Sequence, residues 1–420
     1  MSFFHRLSPC LFAFLALFAA GANWPQFRGP DAAATSTDTG LPVTWSAEKN
    51  IAWKIELPGY GASSPITWGD KIYLTLYSGY GAGNKDAKQE TLKHHVACFN
   101  RADGKLVWDR ATPAKAKDKP YRGFVALHGY SSGTPACDGQ AIYAFFGKSG
   151  VVAYDLEGNL LWTADCGSGT HSFGSGASPL LYKDVVIINA SPESGKLLGF
   201  DKKTGKQLWA AADQKLVWNT PTLVKAKGRT EVVVSMRGKL AAYDPTTGKP
   251  LWTCRGINDY IVPSILAHDG VVYAIGGRKN TCIAVRAGGE GDVSKSHKLW
   301  EIGKGSNVSS PVYFDGHLYW ASETKGIVYC VDAKTGKVAY EKRLEPRPGR
   351  IYASPVLADG RLYYVSRNAG TFVIAAQPEF KLLAHNKISS DKSIFNASPA
   401  ISEGCLLLRS DKILYCLGAK

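Results

Sequence analysis

From Asn50 to Leu417 the chain reads as short apolar runs broken by Gly, Asp and Lys turns, with almost no apolar spacing of helical period. Ser64-Pro65, Thr134-Pro135, Ser178-Pro179, Thr220-Pro221, Val262-Pro263, Ser310-Pro311, Ser354-Pro355 and Ser398-Pro399 mark one repeating position. The proline-to-proline steps are 70, 44, 42, 42, 48, 44 and 44, the first lengthened by a polar insertion around Gly79 to Lys93. Each copy predicts a short strand after the proline and a Gly or Asp turn, as in Cys137-Asp138-Gly139. A second strand follows, as at Ile142-Tyr143, then a third ending in an Asp-x-x-Thr-Gly-Lys turn, and a fourth that carries tryptophan. Asp hydrogen-bonds the turn backbone and Gly supplies its positive φ. A period in the forties made of short strands predicts propeller blades.

The predicted fold is therefore all-β: an eight-bladed β-propeller of four-stranded antiparallel blades. Trp108, Trp162, Trp209, Trp252 and Trp300 should pack between blades, because one blade cannot bury its own faces. Copies six and seven depart, with Tyr340 in one and Leu383-Ala384 in the other. The last copy ends after a third strand, Lys412 to Leu417, and Asn50 to Leu57, with Trp53 in the tryptophan slot, supplies its fourth. Closure then joins both ends of the chain in one blade and removes an open sheet edge.

Three segments follow. Residues 1–22 read as a signal peptide: His5 and Arg6, the apolar run Leu11 to Ala20, then Ala20-Gly21-Ala22 before a cleavage point at Asn23. Residues 23–49 read as an irregular packed arm with Trp24, Phe27 and Trp45, and residues 50–420 as the propeller. Cys10 sits at the start of the apolar run, so no lipid-attachment site is expected. A periplasmic or secreted monomer without a membrane span is the expectation.

Composition changes this picture little. The formal net charge is +15, but the excess is scattered as turn lysines, without a basic block interleaved with aromatics. No nucleic-acid partner is expected; the charge suits solubility or attraction to anionic envelope components. Cys98, Cys330 and Cys416 fall where other copies have Ala153, Gly199, Ala242 and Ala284, a tight slot that predicts buried free thiols. The sequence offers no pairing for Cys137, Cys166, Cys254, Cys282 and Cys405. His94-His95 lacks a partner at metal-ligand spacing, so no metal is expected.

Ala242-Tyr243-Asp244-Pro245-Thr246-Thr247-Gly248-Lys249-Pro250-Leu251-Trp252 resembles the repeat of pyrroloquinoline-quinone (PQQ) dehydrogenases and their non-catalytic relatives. Asn23-Trp24-Pro25-Gln26-Phe27-Arg28-Gly29-Pro30, the region of His128-Gly129-Tyr130, and Ala284-Val285-Arg286-Ala287-Gly288-Gly289 are similar to an exported, planctomycete-type group of PQQ-binding-like β-propeller repeat proteins. The resemblance runs from about Asn50 to Leu417. It implies the propeller, and for catalytic relatives a quinone held by a Trp and adjacent cysteines, with calcium on Glu and Asn and an Asp base. This chain has no Cys-Cys pair and no such acidic set is evident. It implies equally a relation to the propeller lipoprotein of the outer-membrane β-barrel assembly machinery, a protein-binding scaffold.

The remaining candidates form a ring. Segments before each proline should face a central funnel, and they offer Tyr60, His128, Tyr130, His171 with Phe173, Trp218, Tyr260, Asn307, Arg350, Tyr352, and Phe395 with Asn396. Loops between second and third strands should reach the same face with Lys148, Arg237, Arg278, Glu323 and Arg367, and Arg237 is expected to converge with Trp218. Such a ring either holds a ligand or plugs the channel blade by blade. The first reading is a non-catalytic module for an envelope protein, peptide or glycan, without a cofactor. The alternative is a quinoprotein-type oxidoreductase using PQQ and calcium.

Overall fold

The structure, a computed structural model, describes residues 23–418, so the expected signal peptide of residues 1–22 lies outside the described residues. Eight sheets follow one another, antiparallel throughout except for a two-residue parallel strand, Gly291–Asp292, added to the outer edge of the fourth. Blade 1 consists of Ile66–Trp68, Lys71–Ser78, Lys93–Asn100 and Leu106–Pro113. Blades 2 to 7 cover residues 136–164, 180–211, 222–255, 266–302, 312–343 and 356–386. Blade 8 takes Ala400–Ser402, Cys405–Arg409 and Ile413–Leu417 from the end of the chain and its outer strand, Ile51–Glu56, from the beginning. That outer strand pairs antiparallel with Ile413–Leu417, Glu56 opposite Ile413 and Trp53 opposite Cys416.

The tryptophans pack where the repeat places them. Trp53, Trp108, Trp162 and Trp300 each donate the indole N–H to a backbone carbonyl of the next blade, at 2.8–3.0 Å. The turn glycine of that blade lies flat against the ring: a Cβ on Gly248 would come within 2.5 Å of Trp209, and one on Gly205 within 2.5 Å of Trp162. Trp252 instead donates to the buried Glu231 carboxylate at 2.7 Å, which Arg229 also binds. The small slot faces the same ring across the sheet: Cys98 pairs with Trp108, Gly199 with Trp209, and Cys416 with Trp53. Cys98, Cys330 and Cys416 are buried free thiols, as are Cys137, Cys166, Cys254 and Cys282, with Cys405 partly exposed. In blade 7 the pair inverts, Val373 facing Ala384, so a larger side chain on one strand fills what the missing tryptophan leaves.

A belt of hydroxyls locks the inner strands. The amide of Ser64 donates to Thr134 Oγ1, and the relay continues through Ser178, Thr220, Ser264, Ser310 and Ser354 to Ser398 at 2.9–3.0 Å per step. This corrects the reading of copy five. The repeating position there is Ser264, not Val262, which converts uneven proline steps into hydroxyl steps of 44 and 46. The fold selects a hydroxyl that can accept from the preceding blade; the proline is a frequent neighbour of it. At the seam between blades 8 and 1, the fully buried Arg409 donates to Ser63 O, Ser63 Oγ and Thr75 O.

Residues 23–49 cross one mouth of the channel. Trp24 pairs with Thr67 of blade 1, Cys137 of blade 2 donates to Pro25 O, and Arg28 reaches Pro311 O beside blade 6. Ala34 and Ser36 bond Leu357 of blade 7, and Trp45 stacks on Tyr363. Trp24, Leu41 and Trp45 are buried with residues of blades 6, 7, 8 and 1 in one apolar cluster.

Candidate functional site

The mouth opposite the arm opens into a funnel cavity of about 460 Å³. Its deep wall is the hydroxyl belt, and Phe27 of the arm contributes to the lining from the far side. Above the belt one arc is aromatic. Phe124 meets Phe173 edge-on at 4.7 Å, and Phe173 lies 5.1 Å from Trp218 and 5.2 Å from Tyr260. Two of these contacts are edge-to-face and the one to Trp218 is tilted, arrangements that fix ring orientation at these separations. Trp218 is further held by its indole N–H, which donates to Gly174 O at 2.8 Å. The other arc is polar: Asn307, Glu323, Arg350 and Asn396, with Tyr352 beside them.

The polar arc is internally braced. Asn307 donates to the Tyr260 hydroxyl at 2.6 Å, and Arg350 to the Tyr352 hydroxyl at 2.8 Å. Arg278 lies over the Tyr260 ring, 4.9 Å from its centroid, a cation–π contact that leaves the guanidinium largely exposed. Burial pushes the Glu323 carboxyl above its ordinary range, and Arg350 opposes that shift. Burial also lowers the pKa of His128, whose Nε2 contacts Phe173 O at 2.7 Å.

Of the residues expected in the ring, His128, Trp218, Tyr260, Arg278, Glu323, Arg350 and Tyr352 line the cavity, together with Phe173, Asn307 and Asn396. His171 stands behind the aromatic arc, 4.8 Å from Trp218. The others are elsewhere. Tyr60 and Tyr130 both pack on Tyr77, and Tyr130 donates to Lys119 O, so they brace the loops around the blade 1 insertion. Lys148 donates to Lys117 O. Phe395 stacks on Tyr415. Arg367 is buried over Tyr352 and donates to Leu127 O, holding the segment that carries His128. Arg237 is exposed and does not line the cavity, so it does not converge with Trp218. A loop between second and third strands reaches the funnel only where it folds inward, which its sequence spacing does not encode. Phe124, Leu127 and Phe27 line the wall without having been expected.

His95 sits between two partners, Nε2 at 2.7 Å from Ser78 Oγ and Nδ1 at 2.9 Å from Asp109. The three residues tie the second, third and fourth strands of blade 1 together, and none borders the funnel. His94 stacks on Phe146 at 4.7 Å. Among the described residues no group of three or more His, Cys, Asp or Glu could hold a metal ion. Calcium takes about six to eight oxygen ligands, usually with several carboxylates. The funnel wall offers one carboxylate, Glu323, beside two arginines, a donor set that does not fit that ion.

A family model described as outer membrane protein assembly factor BamB matches residues 92–339 and 289–377, more than half of the chain. The chain belongs to this family. BamB from Moraxella catarrhalis superposes with a TM-score of 0.60 at 17% identity, over 87% of this chain and 96% of that one. The quinohemoprotein alcohol dehydrogenase from Comamonas testosteroni gives 0.63 at 12% identity, over 95% and 81%. At these identities the likenesses establish the fold that the BamB family shares with quinoprotein enzymes. Tetrathionate hydrolase from Acidithiobacillus ferrooxidans is 24% identical over 185 residues, 41% of this chain and 31% of that protein. The chain thus spans about a third of the length of that curated relative. No helix among the described residues is long and apolar enough to cross a membrane.

Proposed function

We propose that the protein is an exported binding propeller of the cell envelope that receives an extended segment of another protein in its funnel and carries out no chemistry on it. The observation that carries this reading is the funnel cavity, a half-aromatic, half-polar concavity lined on its far side by Phe27. Its volume falls within the roughly 300–1,000 Å³ of ordinary ligand sites. One apolar side chain fits against Phe173, Trp218 and Tyr260, while Asn307, Glu323 and Arg350 meet the polar backbone beside it. Membership of a family described as an assembly factor supports a protein as the occupant over a glycan. The place of action, periplasmic or secreted, belongs to the same proposal.

The test is binding of peptides from outer-membrane proteins, of envelope polysaccharides, and of PQQ with calcium, to wild type, Tyr260→Ala and Arg350→Ala. Peptides should bind wild type, and each variant should bind about tenfold or more weakly at an unchanged melting temperature, since a hydrogen bond to a charged group and the apolar area covered by an aromatic side chain each contribute about 1.5 kcal/mol or more. Polysaccharide binding alone would replace the protein partner with a glycan. Saturable PQQ binding with dye-linked alcohol oxidation would overturn the non-catalytic reading.

A further inference from the structure

Blade 8 differs from the other copies beside its tight slot. Leu407 stands opposite Cys416 and Leu406 opposite Leu417, so side-chain alternation puts Cys405 on the same face as Cys416, on one diagonal of the hairpin. The right-handed twist of the two strands closes this diagonal and opens the other. Gly418 falls opposite Cys405, and a Cβ there would come within 2.6 Å of Cys405 Sγ. The sulfur therefore leans across the space that the glycine leaves, onto the strand that carries Cys416. In blades 1 and 6 the same slot holds Cys98 and Cys330, but Lys71 and His317 stand on the diagonal. Of these three copies, only blade 8 places a second thiol there.

The two thiols are not equivalent. Cys405 is partly exposed, and every other cysteine among the described residues is buried, Cys416 opposite Trp53 on the outer strand. A hydrogen bond from Cys416 holds the Cys405 thiol below the ordinary thiol range, against burial and the carboxylates of Glu403 and Asp38, and the Arg101 guanidinium adds to the effect. The same pairing, together with burial, raises Cys416. Arg101 is fixed beside them. It donates to Ser402 Oγ at 3.1 Å and to Glu403, while its carbonyl accepts from the Trp53 indole. An accessible thiol that ionises first, beside a buried second one, has the arrangement of an attacking and a resolving cysteine.

We infer that Cys405 and Cys416 form a redox-active dithiol, converted to an intrachain disulfide by exchange with an external disulfide, RSSR. The Cys405 thiolate attacks one sulfur of RSSR, forming Cys405–S–S–R and releasing RS⁻, which takes up the proton that Cys405 gave up. Cys416 then loses its proton to solvent and attacks the Cys405 sulfur, and the second RS⁻ leaves and is protonated. Two protein thiols and RSSR become one protein disulfide and two RSH. The new bond ties the second strand of blade 8 to the third, which carries the outer strand Ile51–Glu56 and so closes the ring.

The probe is oxidised glutathione, added to the reduced and folded chain of residues 23–420 and quenched with an alkylating agent. Thiols counted after denaturation should fall from eight to six, and peptide mapping should find Cys405 joined to Cys416. Dithiothreitol should restore all eight. Cys416→Ala, which gives the slot the residue it holds at Ala153 and Ala242, should stop with glutathione bound to Cys405. Cys405→Ala should keep all seven of its thiols, because the remaining cysteines are buried. Oxidised wild type should resist urea more than reduced wild type, a difference that Cys405→Ala should not show. Eight thiols retained by wild type that melts as a folded protein would overturn the assignment. So would a glutathione adduct that persists on Cys405 of wild type, or a disulfide between two chains, since either would mean that Cys416 does not resolve it.

Discussion

Two buried ionisable residues make the interior sensitive to pH in opposite directions. Glu193, in the short helix Ser191–Ser194 of blade 3, is 4% exposed, and burial pushes its carboxyl up to about 7. One oxygen accepts from Ser175, a residue of the funnel wall, and the other has no partner among the described residues. A folded pKa above the unfolded value means that the folded state binds the extra proton, so this group's contribution falls as pH rises from about 4.5 to about 7. His94 is the reverse: burial pushes it down to about 3, so its contribution is lost as pH falls from 6.5. The wild-type profile mixes the two, and only a difference isolates either. Relative to wild type, Glu193→Gln should gain up to about 3 kcal/mol between pH 4 and pH 8 in urea unfolding, from roughly 1.4 kcal/mol per pKa unit. A constant difference across that range would mean that Glu193 is ionised in the folded protein.

At the scale of the element, the Thr-Gly-Lys turn does two jobs. Its glycine adopts a positive φ, +70° at Gly248, and its missing Cβ leaves room for the tryptophan of the preceding blade. The two causes can be separated, because Gly238 has φ +82° and open space, with nothing within 4 Å of where a Cβ would sit. Gly238→Ala should therefore cost only the left-handed strain, about 1–2 kcal/mol. Gly248→Ala adds overpacking against Trp209 and should cost about 1–3 kcal/mol more in chemical denaturation. Equal losses would show that the ring moves aside freely and that the turn alone requires glycine.

For the whole molecule, the ring is closed at one seam by the outer strand Ile51–Glu56 and by Arg409 reaching into blade 1, and the arm ties inner parts of blades 1, 2, 6 and 7 together across the channel. Deleting residues 23–57 removes the strand and the arm together. It exposes the edge of Ile413–Leu417, leaves the Arg101 carbonyl without Trp53, and opens the channel where Phe27 lines it. The truncated chain should aggregate or melt without a single cooperative transition in calorimetry, as open strand edges recruit other chains. A cooperative melt at the wild-type temperature would mean that seven blades and three strands are self-sufficient.

How far the sequence reached follows from what repeats. Eight recurring prolines, seven of them after a hydroxyl residue, and the repeated Asp-to-Trp turns determined blade number and strand order, because a local signal written many times survives the loss of single copies, and the orphan strand before the first copy determined closure. The tight slot of Cys98, Cys330 and Cys416 was legible for the same reason, although its cause, the tryptophan across the sheet, appears only in the paired register. Copy five shows the limit: the proline drew the alignment to Val262, while the belt depends on the Ser264 hydroxyl. The funnel was half legible. Residues just before the inner strands, such as Trp218, Tyr260 and Tyr352, are carried inward by the repeat itself. Arg237, Lys148 and Arg367 sit on loops whose direction depends on what they pack against, and Tyr60 and Tyr130 were drawn to Tyr77 and the insertion instead. The crossing of the channel by the arm and the Arg409 latch depend on residues far apart in the chain. Local propensity carries no information about such pairs; only the closed ring brings them into contact.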